Sequence, residues 1–260
     1  MFGAIIGDIA GSRFEFNNML ATDFELFTPR NAFTDDSICT IAIAHAILEN
    51  MPYADSLQYW CRKYPDPMGA YGARFAEWVR SANPRPYGSY GNGSAMRVSP
   101  CGWLADLPTV LEEARRSAAC THNHPEGIKG AMCVAHCIYL ARQGASKAQI
   151  KNTVAHVYQY DLSATCAHLR ENHAFDESCQ GTVPKAIICF LESTDFENAL
   201  RLAISIGGDS DTIAAMTASM AHALHGIPET IENAAMAYLP DEFVNIIAAF
   251  GAKYMNGKNV

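Results

Sequence analysis

The chain has 260 residues, of which 49% are apolar, and a formal charge of −8. That length and apolar fraction support one substantial core, so a single domain over 1–260 is expected. No run of Lys or Arg offers the footprint of a nucleic-acid or acidic-membrane binder, no apolar stretch approaches the ~20 residues that span a bilayer, and the apolar start, interrupted by Asp8 and without a basic leader, does not suit a secretory signal.

Gly3, Gly7 and Gly11 recur every four residues, so a helix here would carry one smooth stripe where another backbone can approach; the alternative is a flexible leader. Glu15 follows between Phe14 and Phe16, either as a solvated surface residue or as part of a site. Residues 17–33 lack a helical period and contain Pro29, which reads as a loop delivering Thr34-Asp35-Asp36-Ser37 to an apolar helix over 38–48. Helical spacing returns at 53–64 and 72–81. The run from Asn83 to Gly93 is too rich in Gly and Pro for a helix or central strand. Such a loop, with Ser89, Tyr90 and Asn92 among its glycines, can offer backbone N–H groups to a phosphate and an aromatic to a base; taken alone it is equally an ordinary surface loop.

Apolar residues at spacings of three and four predict further helices over 109–120, 125–143, 147–160, 183–192, 196–205, 229–238 and 242–254. Ser146 with Gln149, and Asp241 after Pro240, are the expected caps. His122 and His124 precede Pro125; with no third metal-type ligand at finger spacing, a neutral histidine that binds a ligand or caps a helix is expected rather than zinc. The other seven histidines are assigned to helical stretches as structural or surface residues. The nine cysteines are dispersed without a Cys-x-x-Cys, which reads as reduced thiols in a cytoplasmic protein.

The organising stretch is Gly207-Gly208-Asp209-Ser210-Asp211-Thr212, running into an alanine-rich helix over 213–225 that Gly226 and Pro228 stop. It concentrates hard oxygen ligands at one helix N-terminus, and Thr34-Asp35-Asp36-Ser37 does the same at another. Either cluster alone would be explained as helix capping. Packed side by side, the two helices would make a polynuclear site for magnesium or manganese. Strand signals are few, so the fold class is all-α, a single compact irregular bundle of about ten helices with that metal site at helix N-termini.

Five motifs together resemble the ADP-ribosylglycohydrolase family: Gly7-Asp8-Ile9-Ala10-Gly11 with Phe14-Glu15-Phe16; Phe33 to Ser37; Gly88 to Arg97; Thr121-His122; and Gly207 to Thr212. The resemblance covers nearly the whole chain in the family's order. It implies hydrolysis of the bond at C1″ of ADP-ribose attached to an acceptor, a protein side chain first, with nucleic acid entering only as a modified acceptor. It implies two divalent cations, Mg²⁺ or Mn²⁺, ligated by Thr34, Asp35, Asp36, Asp209, Asp211 and Thr212, with catalytic roles for Glu15, Asp36 and Asp211. Gly88, Ser89, Tyr90, Gly91, Asn92 and Gly93 would hold ADP-ribose, and His122 its ribose or phosphate side. Ser37 departs from the family's usual Thr, and Ala218 and Ser219 stand where glycine or alanine is usual. Two rival readings remain: a non-catalytic ADP-ribose-binding or crystallin-like module, and a phosphohydrolase, since Ile204 to Thr212 superficially resembles the strand-then-Asp-x-Asp-x-Thr pattern of haloacid-dehalogenase-type enzymes.

Overall fold

A computed structural model describes residues 1–255. In chain order its helices are α1 (Phe2–Gly11), α2 (Asp35–Glu49), α3 (Tyr53–Lys63), α4 (Ala73–Arg80), α5 (Gly93–Met96), α6 (Leu107–Ala119), α7 (Pro125–Arg142), α8 (Lys147–Thr153), α9 (Cys166–Glu171), α10 (Cys179–Glu192), α11 (Phe196–Ser205), α12 (Ser210–His225), α13 (Glu229–Met236) and α14 (Asp241–Phe250). The described residues contain no β-strand, only two isolated bridges, and none of their helices is long and apolar enough to cross a membrane.

The all-α expectation holds, with more and shorter helices than expected. The predicted 147–160 helix ends at Thr153 and widens into a π-helical turn over Val154–Tyr158, and 242–254 likewise changes at Gly251. α10 begins at Cys179, capped by Ser178, four residues before the expected 183, with Pro184 inside it. α9 carried no recognised signal, and His173 lies beyond its end rather than in a helix. Ser146 and Gln149 form the expected capping box, whereas Asp241 is the first helical residue of α14 and makes no capping bond.

The glycine stripe explains the core. α1 is buried along its whole length and lies directly on α12. A Cβ added at Gly3, Gly7 or Gly11 would stand 2.4, 2.3 or 2.5 Å from Ala218 O, Ala214 O or Asp211 Cα, so only glycine permits this backbone approach. Small residues on α12 (Ala214, Ala215, Ala218, Ala221) return the fit, and α7, α10 and α11 close around its remaining sides. The Thr34 and Gly207 motifs therefore arrive at one end of the bundle, because α1 bridges α2 and α12.

The loop over 17–33 does more than deliver Thr34. Asn31 Nδ2 donates to Ile9 O (2.7 Å) and Ala10 O (3.3 Å), satisfying carbonyls at the end of α1. Asn18 clips the Glu15 segment to the glycine turn: its Nδ2 donates to Glu15 O and Gly208 O, while Gly208 N donates to its Oδ1 at 2.9 Å.

Candidate active site

Gly207 and Gly208, at φ +71° and +83°, make the left-handed turn that ends α11 and starts α12. Asp209 is the N-cap of α12, with Asp211 and Thr212 in its first turn. α2 begins at Asp35, three residues earlier than expected, so Asp35 and Asp36 also lie inside the first turn, behind Thr34 as N-cap. The two mouths meet: Thr212 Oγ1 donates to Asp36 Oδ1 at 3.4 Å. The Glu15 carboxylate joins them from the turn after α1, since carboxylate oxygens of Glu15, Asp209 and Asp211 lie within 4.8 Å of one another.

Asp8 is the residue whose role the sequence did not show. Fully buried on α1, it accepts from Thr34 N (2.9 Å), Thr34 Oγ1 (2.7 Å) and Ser37 N (3.0 Å), and from the Ser37 hydroxyl. It thus caps α2 from a neighbouring helix and fixes the Asp35-Asp36 turn. Thr34, buried and off the cavity wall, already donates to Asp8 and accepts from Asp36 N, leaving one lone pair.

Burial, and then the other carboxylates, raise Asp35, Asp36 and Asp211 well above the usual carboxylate range. Glu15 is pushed up to about 7 by burial, then by Asp209, Asp8 and Glu177. Asp8 rises to about 6 through burial, against which its four hydrogen bonds work. Asp209 is raised by burial, opposed by Asn92, whose Nδ2 donates to its Oδ2 at 2.6 Å. Asp36 Oδ2 and Asp211 Oδ1 are buried with no partner among the described residues. Orphaned carboxylate oxygens in a crowd of like charge are what hard divalent cations neutralise, so this donor set fits them.

Glu15, Asp35, Asp36, Asp209, Asp211 and Thr212 line a cavity of ≈ 370 Å³, with Asp8 behind it. Its opposite wall holds Ser89, Gly91, Asn92, Gly93, Arg97 and His122. Gly88 and Tyr90 are not on that wall: Gly88 N donates to Asn123 Oδ1, and the half-exposed Tyr90 ring packs edge-on against His124. Gly91 N and Asn92 N are likewise already bonded, to Ser89 Oγ and Glu177 O. Half of the expected cradle of backbone donors, at Gly88, Gly91 and Asn92, is therefore used up in shaping the loop.

His122 shows how this wall presents a donor instead. Arg97, fully buried, donates from Nη2 to Thr121 Oγ1 (2.7 Å) and Ser117 O (2.9 Å). Thr121 Oγ1 stands 2.7 Å from His122 Nδ1, and its other acceptor, Ala118 O, is 3.5 Å away. The hydroxyl proton accordingly goes to Nδ1. Burial, then Arg97 and Arg74, hold the ring well below the usual histidine range, so it is neutral with its proton on Nε2. That nitrogen lies against Gly91 and Gly93, where a Cβ would stand 3.6 and 3.2 Å away. His124, by contrast, caps α7 by accepting from Glu126 N at 3.1 Å.

The rim was not anticipated. Phe16 and Phe175, both exposed, stack at 6.0 Å and 29° over the opening, and residues 69–75 form a further side. Gly69 and Ala70 both have positive φ, and a Cβ on Gly69 would stand 2.6 Å from Glu15 Oε2, so this segment lies against the Glu15 carboxylate.

A family model described as ADP-ribosylglycohydrolase matches residues 1–253. The chain belongs to the ADP-ribosylglycohydrolase family. It is similar to the ADP-ribosylhydrolase ARH3 of Xenopus tropicalis, 26% identical over 300 residues, covering 87% of this chain and 86% of that protein. ARH3 of Homo sapiens is 25% identical over 89% of this chain and 85% of its own length. The ADP-ribosylarginine hydrolase Tri1 of Pseudomonas putida (strain GB-1) is 23% identical over 90% of this chain and 73% of that protein. A solved chain titled "ADP-ribosylglycohydrolase-related protein complex" superposes with a TM-score of 0.71 at 23% identity, covering 98% of this chain and 96% of that one, which shows a shared fold.

An ADP-ribosylglycohydrolase is a glycosidic-bond hydrolase, which removes the non-catalytic module as the reading of this chain. The phosphohydrolase reading loses its structural context: Ile204 and Ser205 end α11 and Gly207 is a turn, so no strand precedes the Asp209-Ser210-Asp211-Thr212 motif.

Proposed function

We propose that this cavity hydrolyses the bond between C1″ of the distal ribose of ADP-ribose and an acceptor, a protein side chain, reversing ADP-ribosylation. The observation that carries the reading is the meeting of two carboxylate-bearing helix mouths, with oxygens left over on Asp36 and Asp211, in one cavity with a wall of neutral and cationic donors. Asp35, Asp36, Asp209, Asp211, Thr212 and the remaining lone pair of Thr34 would hold two divalent cations, magnesium or manganese. Bound there, the cations would supply Lewis acidity and positive charge.

Cleavage at C1″ builds positive charge on the sugar, which the surrounding carboxylates stabilise. Glu15, with its affinity for protons pushed up to about 7, is suited to accept one from water near neutral pH. On the other wall, His122 offers Nε2–H, and Ser89, Gly91, Asn92 and Gly93 shape the space for the diphosphate, with Gly88 and Tyr90 beside it at the adenosine end. Free thiols at all nine cysteines fit a reducing compartment, the cytoplasm.

A melting assay tests the assignment. ADP-ribose at 100 times its dissociation constant adds about 2.7 kcal/mol of stability to a site only the folded state possesses. We expect the rise in Tm with Mg²⁺ present and much less with EDTA, and for AMP, which lacks the distal ribose, little metal dependence. Phosphate release from simple monoesters together with no ADP-ribose shift would overturn the reading.

A further inference from the structure

Beside the acid-lined cavity lies a second one, of ≈ 340 Å³, with the opposite charge character. One side is a single face of α4 and its cap, where Arg74, Glu77, Trp78 and Ser81 recur at helical spacing; the other is Arg85 and Tyr87. Two guanidiniums share this space with one carboxylate, and neither arginine is in an ion pair among the described residues. Arg74 is held in place: it donates to Tyr87 O and stacks on the Tyr87 ring at 4.9 Å. Trp78, 4% exposed, keeps its indole N–H buried with no acceptor among the described residues. The carbonyls at the end of α4 do not repel an anion, because Gln58 and Arg62 already donate to Trp78 O, Val79 O and Ser81 O.

Arg74 and Tyr87 line both cavities. In the irregular run before α5, Arg85 lines the second cavity, Tyr87 both and Ser89 the first, while Pro86, Gly88 and Tyr90 line neither. Tyr87 therefore links the two spaces, and the run, turning at Gly88 (φ +68°), leads from the acid cluster's cavity to Arg85. We infer that the second cavity binds a phosphate group which the substrate carries beyond its ADP-ribose moiety. The inference rests on ADP-ribose occupying the first cavity; the extra phosphate can sit on the adenosine side or on the acceptor side, and the ligands below separate the two.

Binding is measured by calorimetry on the wild type, Arg85→Ala and Arg85→Glu, exposed-residue variants whose folding is checked by thermal melting. Inorganic pyrophosphate in EDTA probes the second cavity directly. ADP-ribose, its 2′-phosphate and its 1″-phosphate, with Mg²⁺, probe the connection. We expect pyrophosphate to bind the wild type and weaken about tenfold or more in Arg85→Glu. One of the two phosphorylated ligands should bind about tenfold tighter than ADP-ribose, a gain lost in both variants, while affinity for ADP-ribose itself changes less than about twofold. Pyrophosphate affinity equal in wild type and Arg85→Glu, or a phosphorylated ligand whose advantage survives both variants, overturns the inference. Arg85-dependent pyrophosphate binding with no binding of ADP-ribose would keep the anion cavity and overturn its assignment to an ADP-ribosylated substrate.

Discussion

The wall of Asp35, Asp36, Asp209 and Asp211 and the wall of Asn92, Arg97 and His122 face the same cavity, yet their surpluses have opposite sign. On the acid wall acceptors are left over: Asp36 Oδ2 and Asp211 Oδ1 have no donor among the described residues, and burial, then crowding by like charge, raises the carboxylates' affinity for protons. On the other wall donors are left over: Arg97 Nε and Nη1 have no acceptor among the described residues, and the same burial drives His122 toward the neutral form. One wall could thus take cations and the other the oxygens of an anion. In the proposed reading, a ribose held by metals and joined to a diphosphate would satisfy both at once.

Removing an acid should have the largest effect. In Asp36→Asn or Asp211→Asn a neutral amide replaces a carboxylate that has an orphaned oxygen, and turnover should fall by at least about 100-fold with metal affinity, while the helical fold is kept. Steady-state rates beside metal titration check this; near wild-type hydrolysis with normal metal binding would show that these oxygens are not ligands. Asp8→Asn should come next. Asparagine offers one acceptor oxygen to four donors from Thr34 and Ser37, so the α2 mouth loses its orientation and metal affinity drops about 10–100-fold without the loss of any direct ligand.

A smaller effect separates the walls by pH. Folded Asp8 titrates near 6 and Glu15 near 7, against ordinary values of 3.8 and 4.5. The metal-free native state therefore keeps protons that the unfolded chain has released, so stability falls as pH rises through 6 to 7. Between pH 5.5 and 8 the loss should be about 1 kcal/mol from Asp8, with Glu15 adding less than its shift because it is partly solvated. Chemical denaturation with EDTA should show the fall, and Mg²⁺ should remove it; a metal-free protein equally stable at both pH values contradicts the charge crowding.

Smallest is the donor wall. Thr121→Val removes the hydroxyl that fixes His122 Nδ1 as an acceptor, and should raise KM for the ADP-ribosylated substrate about fivefold with a smaller change in kcat. The ring's ¹⁵N shifts should lose their Nε2–H signature, and Thr121→Ser should restore it. An unchanged tautomer in Thr121→Val would contradict the network.

What could be read from the sequence follows from how local each cause is. The Gly3-Gly7-Gly11 stripe and the Gly207-Gly208 turn are properties of short stretches, and both are realised at the backbone. Asp8 was visible only as a charge in an apolar run, because its four donors come from another helix. The Arg97-Thr121-His122 chain is hidden for the same reason, its members 24 residues apart in sequence. Pro184 concealed the start of α10, since a proline inside a helix reads as its beginning. The Gly88–Gly93 loop misled differently: its glycines suggested free N–H groups, but Asn123, Ser89 and Glu177 have taken three of them.

In the proposed reading, divalent cations complete the orphaned oxygens of Asp36 and Asp211. Anomalous scattering from crystals soaked in Mn²⁺ tests it most directly. The account predicts two peaks between the N-termini of α2 and α12, about 3.5–4 Å apart, with Asp36 and Asp211 among the ligands. No peak at that site, in a protein that still releases ADP-ribose in excess EDTA, would contradict it.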